Sequence, residues 1–455
     1  MKIENPATGN VLREVQVDTP KAIHDKVVAA KKAQAAWAKL PYSTRAACIE
    51  KFVALVAIKK DELARILSEE TGKPIKQAHN ELGALAGRIG FFLANTEKTL
   101  ESKVVSSDGG MTETIKWEPL GVVANISAWN YPYFVGSNVY VPALLTGNAV
   151  IYKPSEFALG TGQATAELLW EAGVPKDVFQ IVVGGGDAGT ALVAEDVDGI
   201  FFTGSNRTGR KIAEDAAGRM IRLQLELGGK DPTYVCEDAD PKVAAESLSD
   251  GAMYNAGQSC CSVERIYVNE KNAPAFVEAF VESVKGFVVG EPSDEQTYIG
   301  PLARAAQIKV LEEQVADAVA KGAKILVGGK KIARPGNYFE PTVLVNVNHS
   351  MRVMKEESFG PIIGIQVVKS DDEAIAAMND TEYGLTAGIY TKDQSRAERV
   401  LAEVDAGSTY WNCCDRVSPR LPWTGRRGSG MGSTLSTIGI QAFVQPKAWH
   451  MKQAT

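Results

Sequence analysis

Between residues 121 and 226, short apolar runs alternate with helical stretches, and this alternation constrains the fold more than any other feature of the chain. The runs are "GVVANISA", "AVIYKP", "FQIVVG", "DGIFFTG" and "LQLELGG", separated by segments such as "TGQATAELLWEAG" and "GRKIAEDAAGRM". Strands that are apolar on both faces must be covered on both faces, and helices between successive strands imply parallel crossovers. A second series follows Asp231, with "PTYVC", "RIYVN", "KILVGG", "IIGIQVV" and "AGIYT". Helices are expected there from about Pro241 to Asn255 and near 302–321, where Ile308, Leu311, Val315 and Val319 share one face. A chain of 455 residues exceeds what one core organises. The expectation is therefore two α/β domains meeting near 226–232. The first hundred residues carry helical periodicity, and "GMTETIKWEP" at 110–119 alternates like an extended arm.

Composition excludes several classes of function. The net charge of −6 offers no basic field for nucleic acid. No apolar run approaches the ~20 residues of a membrane span, and the first residues lack the order of a signal peptide, so a cytoplasmic protein is expected. The six cysteines are too few for a disulfide framework, and four sit in adjacent pairs, Cys260–Cys261 and Cys413–Cys414. His24, His79, His349 and His450 are scattered. That spacing argues against a zinc site and leaves a cysteine–histidine protease without its base, so no metal is expected.

Five motifs can carry chemistry. "GGGDAG" at 184–189 fits G-x-G-x-x-G through Gly184, Gly186 and Gly189, but the acidic residue expected about 20 positions on is missing, and Arg207 and Arg210 stand there. It is a dinucleotide loop or simply a turn. In "FFTGSNRTG", Gly204 and Ser205 open a helix whose free N–H groups could take a pyrophosphate, or Ser205 is only a cap. In "YKPSE", Lys153 and Glu156 follow a strand where ligands of open α/β sheets bind; the bland alternative is solvated surface. "ELGGKDP" sets Glu226 at a strand end, either as a base in a dry setting or as a paired charge. "GQSCC" offers a thiol at a helix–strand junction, or merely a small buried hydrophobe.

Taken together and in this order, the motifs resemble the aldehyde dehydrogenase superfamily over nearly the whole chain. The matching stretches are "AWNYP" (128–132), "PALLTGNAVIYKPSE" (142–156), "FTGS" (202–205), "ELGGKDP", "GQSC", "EESFGP" (356–361) and "PWTGRRGSGMG" (422–432). The resemblance implies an α/β chain with a Rossmann-like NAD-binding domain over 1–100 and 121–226, and a second α/β catalytic domain over 227–435. A small β oligomerisation arm would comprise 101–120 and 436–455. It implies Cys260 as the nucleophile, and Asn130 with the Cys260 backbone N–H as oxyanion donors. Glu226 would activate water to hydrolyse a thioester, without metal. Cofactor contacts would come from Ser127, Trp129, Lys153, Ser155, Glu156, Gly186, Gly204, Ser205, Leu227, Gly228, Glu357 and Phe359. On this reading "GGGDAG" is a loop near the adenine and its fingerprint is misleading. Glu156 would repel a 2′-phosphate, so NAD is expected over NADP, with NADP still possible.

The chain departs from the family pattern in three places. Ala128 stands where proline is frequent, and "PWTG" places Trp423 and Thr424 in a segment usually Pro-Phe-Gly-Gly. Val139 occupies a position where many relatives carry lysine or arginine, which leaves Glu226 more alone and implies a slow hydrolysis step or a substituting water chain. Cys261 is expected to point elsewhere with no required role. The implied partners are a small-molecule aldehyde and further copies of the chain, as a homodimer or homotetramer; neither nucleic acid nor membrane is expected. Tyr131, Tyr133, Phe134, Ser259, Trp411 and Cys413 are candidates for the substrate tunnel, with Tyr133 and Trp411 suggesting an apolar one. The alternatives are a coenzyme-A-acylating relative, which would not need Glu226, and a non-catalytic protein retaining the fold.

Overall fold

The computed structural model describes residues 1–453. Four helices, Pro20–Lys39, Tyr42–Ile58, Lys60–Thr71 and Ile75–Thr99, build the first hundred residues. The first starts where Thr19 accepts from the Ala22 N–H and Pro20 supplies a preset φ, and its face Ile23, Val27, Ala30 and Trp37 is buried. These helices pack on a six-stranded sheet. Its order is Gly430–Met431, Arg222–Glu226, Gly199–Thr203, Val122–Ile126, Ala149–Lys153, Phe179–Ile181. Five of its strands run parallel; only Gly430–Met431 is antiparallel. Central strands such as Val122–Ile126 and Ala149–Lys153 are buried throughout, as the continuous apolar runs require.

A seven-stranded sheet follows, in the order Lys324–Val327, Thr342–Val345, Ile362–Val368, Val263–Asn269, Asp231–Val235, Thr386–Tyr390, Ser408–Trp411. All its pairings are parallel except that of the edge strand Lys324–Val327. Each sheet has its own buried apolar cluster. The link is short: Arg222–Glu226 ends one sheet and Asp231–Val235 opens the other. Residues 227–230 therefore set the carboxyl edge of the first sheet against the amino edge of the second. Every later strand parallel to Asp231–Val235 begins at that same edge. The chain also returns after the second sheet: Trp423 and Leu435 pack into the first core, and Gly430 pairs with Glu226. Residues 423–435, grouped by sequence with the second domain, thus complete the first, because a free strand edge beside Glu226 accepts them.

Lys103–Asp108, Met111–Pro119 and Val444–Lys452 form a separate three-stranded antiparallel sheet in which Val444–Lys452 pairs along the full length of the arm. Val104, Val105 and Met451 on it are exposed. Among the described residues no helix is long and apolar enough to cross a membrane.

Candidate active site

Because the first sheet's strands are parallel and in register, their carboxyl ends lie side by side: Ile126 pairs with Lys153 and Phe202, and Thr203 with Glu226. Ser127, Trp129 and Asn130 continue the first of these ends, Ser155 and Glu156 the second, Gly204 and Ser205 the third, Leu227 and Gly228 the fourth. Cys260 precedes Val263–Asn269, and Glu357 and Phe359 precede Ile362–Val368, at the amino edge of the second sheet. The two edges face one another across residues 227–230, so parallel topology alone gathers both groups into one cleft.

The loop carrying Cys260 crosses from core to core. Ala256 and Val263 belong to the second apolar cluster, Cys261 to the first, and half-buried Cys260 packs against the first. Two left-handed residues, Asn255 (φ 54°) and Ala256 (φ 55°), redirect the chain out of the helix Pro241–Met253. Such conformations cost of order 1–3 kcal/mol each and concentrate at working sites. Here the Asn255 side chain holds the turn, donating to the carbonyls of Asn130 (3.2 Å) and Gln258 (3.1 Å). At Gly257 (φ 68°) a Cβ would lie 2.3 Å from the Gly360 carbonyl, so the loop and the Phe359 segment touch through backbone alone. Asn255 was not singled out from sequence; an asparagine five residues before the thiol gives no signal until its φ is seen.

Glu226 is 7% exposed and accepts from the Thr434 and Thr203 hydroxyls. Burial pushes its carboxyl up to about 7, against the pull of Thr434 and of the Arg88 charge. Asn130 is likewise buried. Cys261 is buried: its thiol donates to Asp415 Oδ1 at 2.9 Å, and its neighbour Cys260 together with burial drives its pKa upward. Burial pushes Asp415 itself up to about 6.

Lys153 is 4% exposed, its Nζ 4.0 Å from Glu156 Oε2 and 3.2 Å from the Pro154 carbonyl. The N-terminus of the helix Gly186–Ala194 lies over this pair, since a Cβ on Gly185 would sit 3.8 Å from Glu156 and one on Gly189 3.5 Å from Lys153. At Gly186 itself a Cβ would meet nothing within 4 Å, so no close approach demands glycine there. Ser155 accepts from the Phe157 N–H, and the buried Ser127 Oγ has no hydrogen-bond partner among the described residues. Ser205 is exposed and caps the helix Asn206–Ala216 through the Thr208 N–H, so the capping reading holds and the helix end is still presented to the cleft. The Leu227 side chain is buried in the first core against Gly209 and can offer only backbone. Trp129 meets Phe157 edge-on at 6.3 Å and Phe359 at 5.6 Å, which bridges the two sheets with aromatic rings.

Glu357 approaches the link between the domains, accepting from the Gly229 N–H at 3.1 Å. A Cβ on Gly228 would lie 2.1 Å from its carboxylate, so that approach requires glycine. Burial and the neighbouring Glu264 push Glu357 up to about 8. Glu264 also accepts from the Ser358 and Phe359 N–H groups while pairing with buried Lys230 at 2.6 Å, and so fixes Phe359 in a left-handed conformation (φ 46°). Lys230 lies inside the "ELGGKDP" motif and Glu264 just before the run "RIYVN", yet only their contact shows what they do.

One other expectation is revised. Tyr133 does not line a tunnel: it is fully buried in the first core, with its hydroxyl bonded to the Leu63 carbonyl at 3.3 Å. Trp411 is 40% exposed and bonds the Thr391 carbonyl. Tyr131 is half-buried, stacked 6.3 Å from Phe134 and under the Lys73 ammonium. All four histidines pair with surface carboxylates, His24 with Glu195, His79 with Asp61, His349 with Asp380 and His450 with Glu113.

A chain of two wound α/β sheets whose facing edges carry a half-buried thiol and a buried carboxyl pushed up to about 7 has the groups of an enzyme that works by nucleophilic attack. The aldehyde dehydrogenase family model matches residues 1–449, and the chain belongs to that family. It is 34% identical to a peroxisomal aminoaldehyde dehydrogenase of Pisum sativum, covering 97% of this chain and 90% of that one. The structure superposes on an E. coli NADP-dependent enzyme with TM-score 0.97 and 32% identity, covering 99% and 94% of the two chains. It also superposes on a Staphylococcus aureus betaine aldehyde dehydrogenase solved with NAD+, with TM-score 0.96 and 30% identity, covering 99% and 92%.

Proposed function

We propose that this chain oxidises a small aldehyde to the carboxylic acid with NAD(P), Cys260 carrying the substrate and Glu226 activating water. The reading rests on one observation: the Cys260 loop leaves the second core and lies on the first, beside the strand ends that carry Asn130 and Glu226. The Cys260 thiolate adds to the carbonyl carbon. The Asn130 amide and the Cys260 N–H donate to the oxygen that becomes negative, and donors fixed before reaction cost no reorganisation. Trp129, Phe359 and Glu357 would hold a nicotinamide, which when bound would supply the hydride acceptor. As hydride leaves, the oxygen's electron pair restores the carbonyl and a thioester remains on Cys260. Glu226 then takes a proton from water, the oxygen attacks the thioester carbon, and the C–S bond breaks to release acid and thiolate.

Lys153 and Glu156 are suited to ribose hydroxyls and the Ser205 helix end to the pyrophosphate; the Glu156 carboxylate favours NAD over a 2′-phosphate. The exposed edges and valines of the three-stranded arm favour pairing with another copy, as a homodimer or homotetramer. The test is turnover of aliphatic, aromatic, ω-carboxy and trimethylammonium aldehydes with NAD and with NADP. Reduced cofactor and free acid are expected in equal amounts. An acyl thioester accumulating only when coenzyme A is added would overturn the hydrolytic step.

A further inference from the structure

Glu264 follows Cys260 closely, as the second residue of the strand Val263–Asn269, and is buried. Its carboxylate accepts from the Ser358 N–H at 2.8 Å and the Phe359 N–H at 2.9 Å, successive amides turned toward one anion. Lys230, buried in the link between the sheets, neutralises that anion at 2.6 Å. The Lys230 ammonium also donates to Ser358 Oγ at 2.9 Å, and Ser358 Oγ donates in turn to Gln314 Oε1 at 2.7 Å. From the helix Ala305–Ala320, the Gln314 amide donates to the Glu357 carbonyl at 3.3 Å and the Gln307 amide to the Ser358 carbonyl at 2.5 Å. Every polar group of Ser358 is thereby engaged. On either side of it the flanking side chains reach other partners: Glu357 accepts from the Gly229 N–H, and the Phe359 ring stands 5.6 Å from that of Trp129. Phe359 has φ 46°, a conformation that a phenylalanine keeps only when its surroundings impose it.

We propose that Glu264 is a positioning residue for the nicotinamide end of the cofactor, fixing Phe359 and Glu357 relative to Cys260 through the Ser358 and Phe359 amides and the Lys230 ammonium. A carboxylate has acceptor sites for all three donors, and a neutral amide in its place does not. Loss of the anion would also leave the buried Lys230 ammonium unpaired. Because Glu264 belongs to the strand that begins just after Cys260, one anion sets the spacing between the thiol and the groups that would hold the hydride acceptor. Lys153 and Glu156 lie on the first sheet, and none of their hydrogen bonds joins this network. The adenosine end of a dinucleotide should therefore be blind to Glu264. This inference rests on the proposed cofactor-holding role of Glu357 and Phe359.

Titration calorimetry on the intact protein compares NADH with ADP-ribose, which lacks the nicotinamide. Glu264→Gln is expected to weaken NADH binding about tenfold, the scale of one charge-assisted hydrogen bond, and ADP-ribose binding by less than about twofold. p-Nitrophenyl acetate acylates a reactive thiolate directly, without cofactor, so its nitrophenolate burst reads Cys260 alone and is expected to be kept. If Glu264→Gln does not fold, Ser358→Ala takes one acceptor from Lys230 and the donor from Gln314, and a loss of about threefold for NADH alone is expected. Equal losses for the two ligands, or no loss for either, in whichever variant folds overturns the role of Glu264. A parent protein that binds NADH no more tightly than ADP-ribose overturns instead the underlying reading of Glu357 and Phe359.

Discussion

The side-chain amide of Asn255 donates to the backbone carbonyl of Asn130 at 3.2 Å, tying the loop that carries Cys260 to the residue we propose polarises the substrate. The same amide bonds Gln258, so one side chain sets the spacing of nucleophile and oxyanion donor. Asn255→Ala removes the donor and leaves two buried carbonyls unsatisfied, an expected loss of about 1–3 kcal/mol in stability. The reduced-cofactor burst should slow by roughly 10–100-fold, because misplacement by an ångström costs that much. Thermal unfolding and stopped-flow absorbance read the two effects; an unchanged burst would show that the tie does not position the reacting groups.

Turnover should follow the ionisation of Glu226. Its carboxyl is pushed up to about 7 by burial, so the proton-accepting form grows as pH rises through 7, and the hydrolysis rate should grow with it. The same shift has a stability consequence of opposite sign. A folded value above the ordinary 4.5 means that Glu226 favours folding below about 4.5 and loses that contribution as pH rises through about 7. Glu226→Gln should therefore keep the burst, lose steady turnover, and at pH 8 unfold less readily than the parent, by at most roughly 3 kcal/mol. Equal denaturant midpoints for the two proteins at pH 8 would remove the buried ionisation from the account.

The adjacent thiols should behave differently. Cys260 is half-buried at the cleft, whereas Cys261 is buried against Asp415. Inactivation by iodoacetamide should track labelling of Cys260 alone, as read by peptide mass spectrometry. Cys261→Ala should retain turnover within about threefold, and Cys260→Ala should fall below about one-thousandth.

Gly228 tests the cofactor side. A Cβ there would lie 2.1 Å from the Glu357 carboxylate, so Gly228→Ala should expel Glu357 from the link. We expect the KM for NAD to rise about tenfold or more, the scale of one lost charge-assisted hydrogen bond, while the p-nitrophenyl acetate burst is unaffected. A fall in both would mean that the substitution damages the Cys260 loop instead.

Much of this was legible in the primary sequence because short-range rules govern it. Continuous apolar runs such as "AVIYKP" can only be buried strands, and intervening amphipathic helices force them parallel. That is why the boundary near 226–232 could be read from the pattern. Motifs at strand ends then fall at one edge by geometry, but it was the resemblance to the aldehyde dehydrogenase superfamily that grouped Lys153, Ser205, Glu226 and Cys260. Tyr133 failed as a tunnel residue because an aromatic beside a site motif reads the same whether it faces the cleft or the core. Its hydroxyl's partner, Leu63, is 70 positions away.

Pattern and spacing thus determined two wound sheets, their meeting point and the residue types arrayed there, since these depend on neighbours along the chain. Only the tertiary structure decided which polar groups meet: Glu264 with the Phe359 turn, Asn255 with Asn130. Those pairings join residues 95 and 125 positions apart, and no local preference encodes them. They arise when burial leaves each polar group one available partner, and burial is a property of the assembled cores.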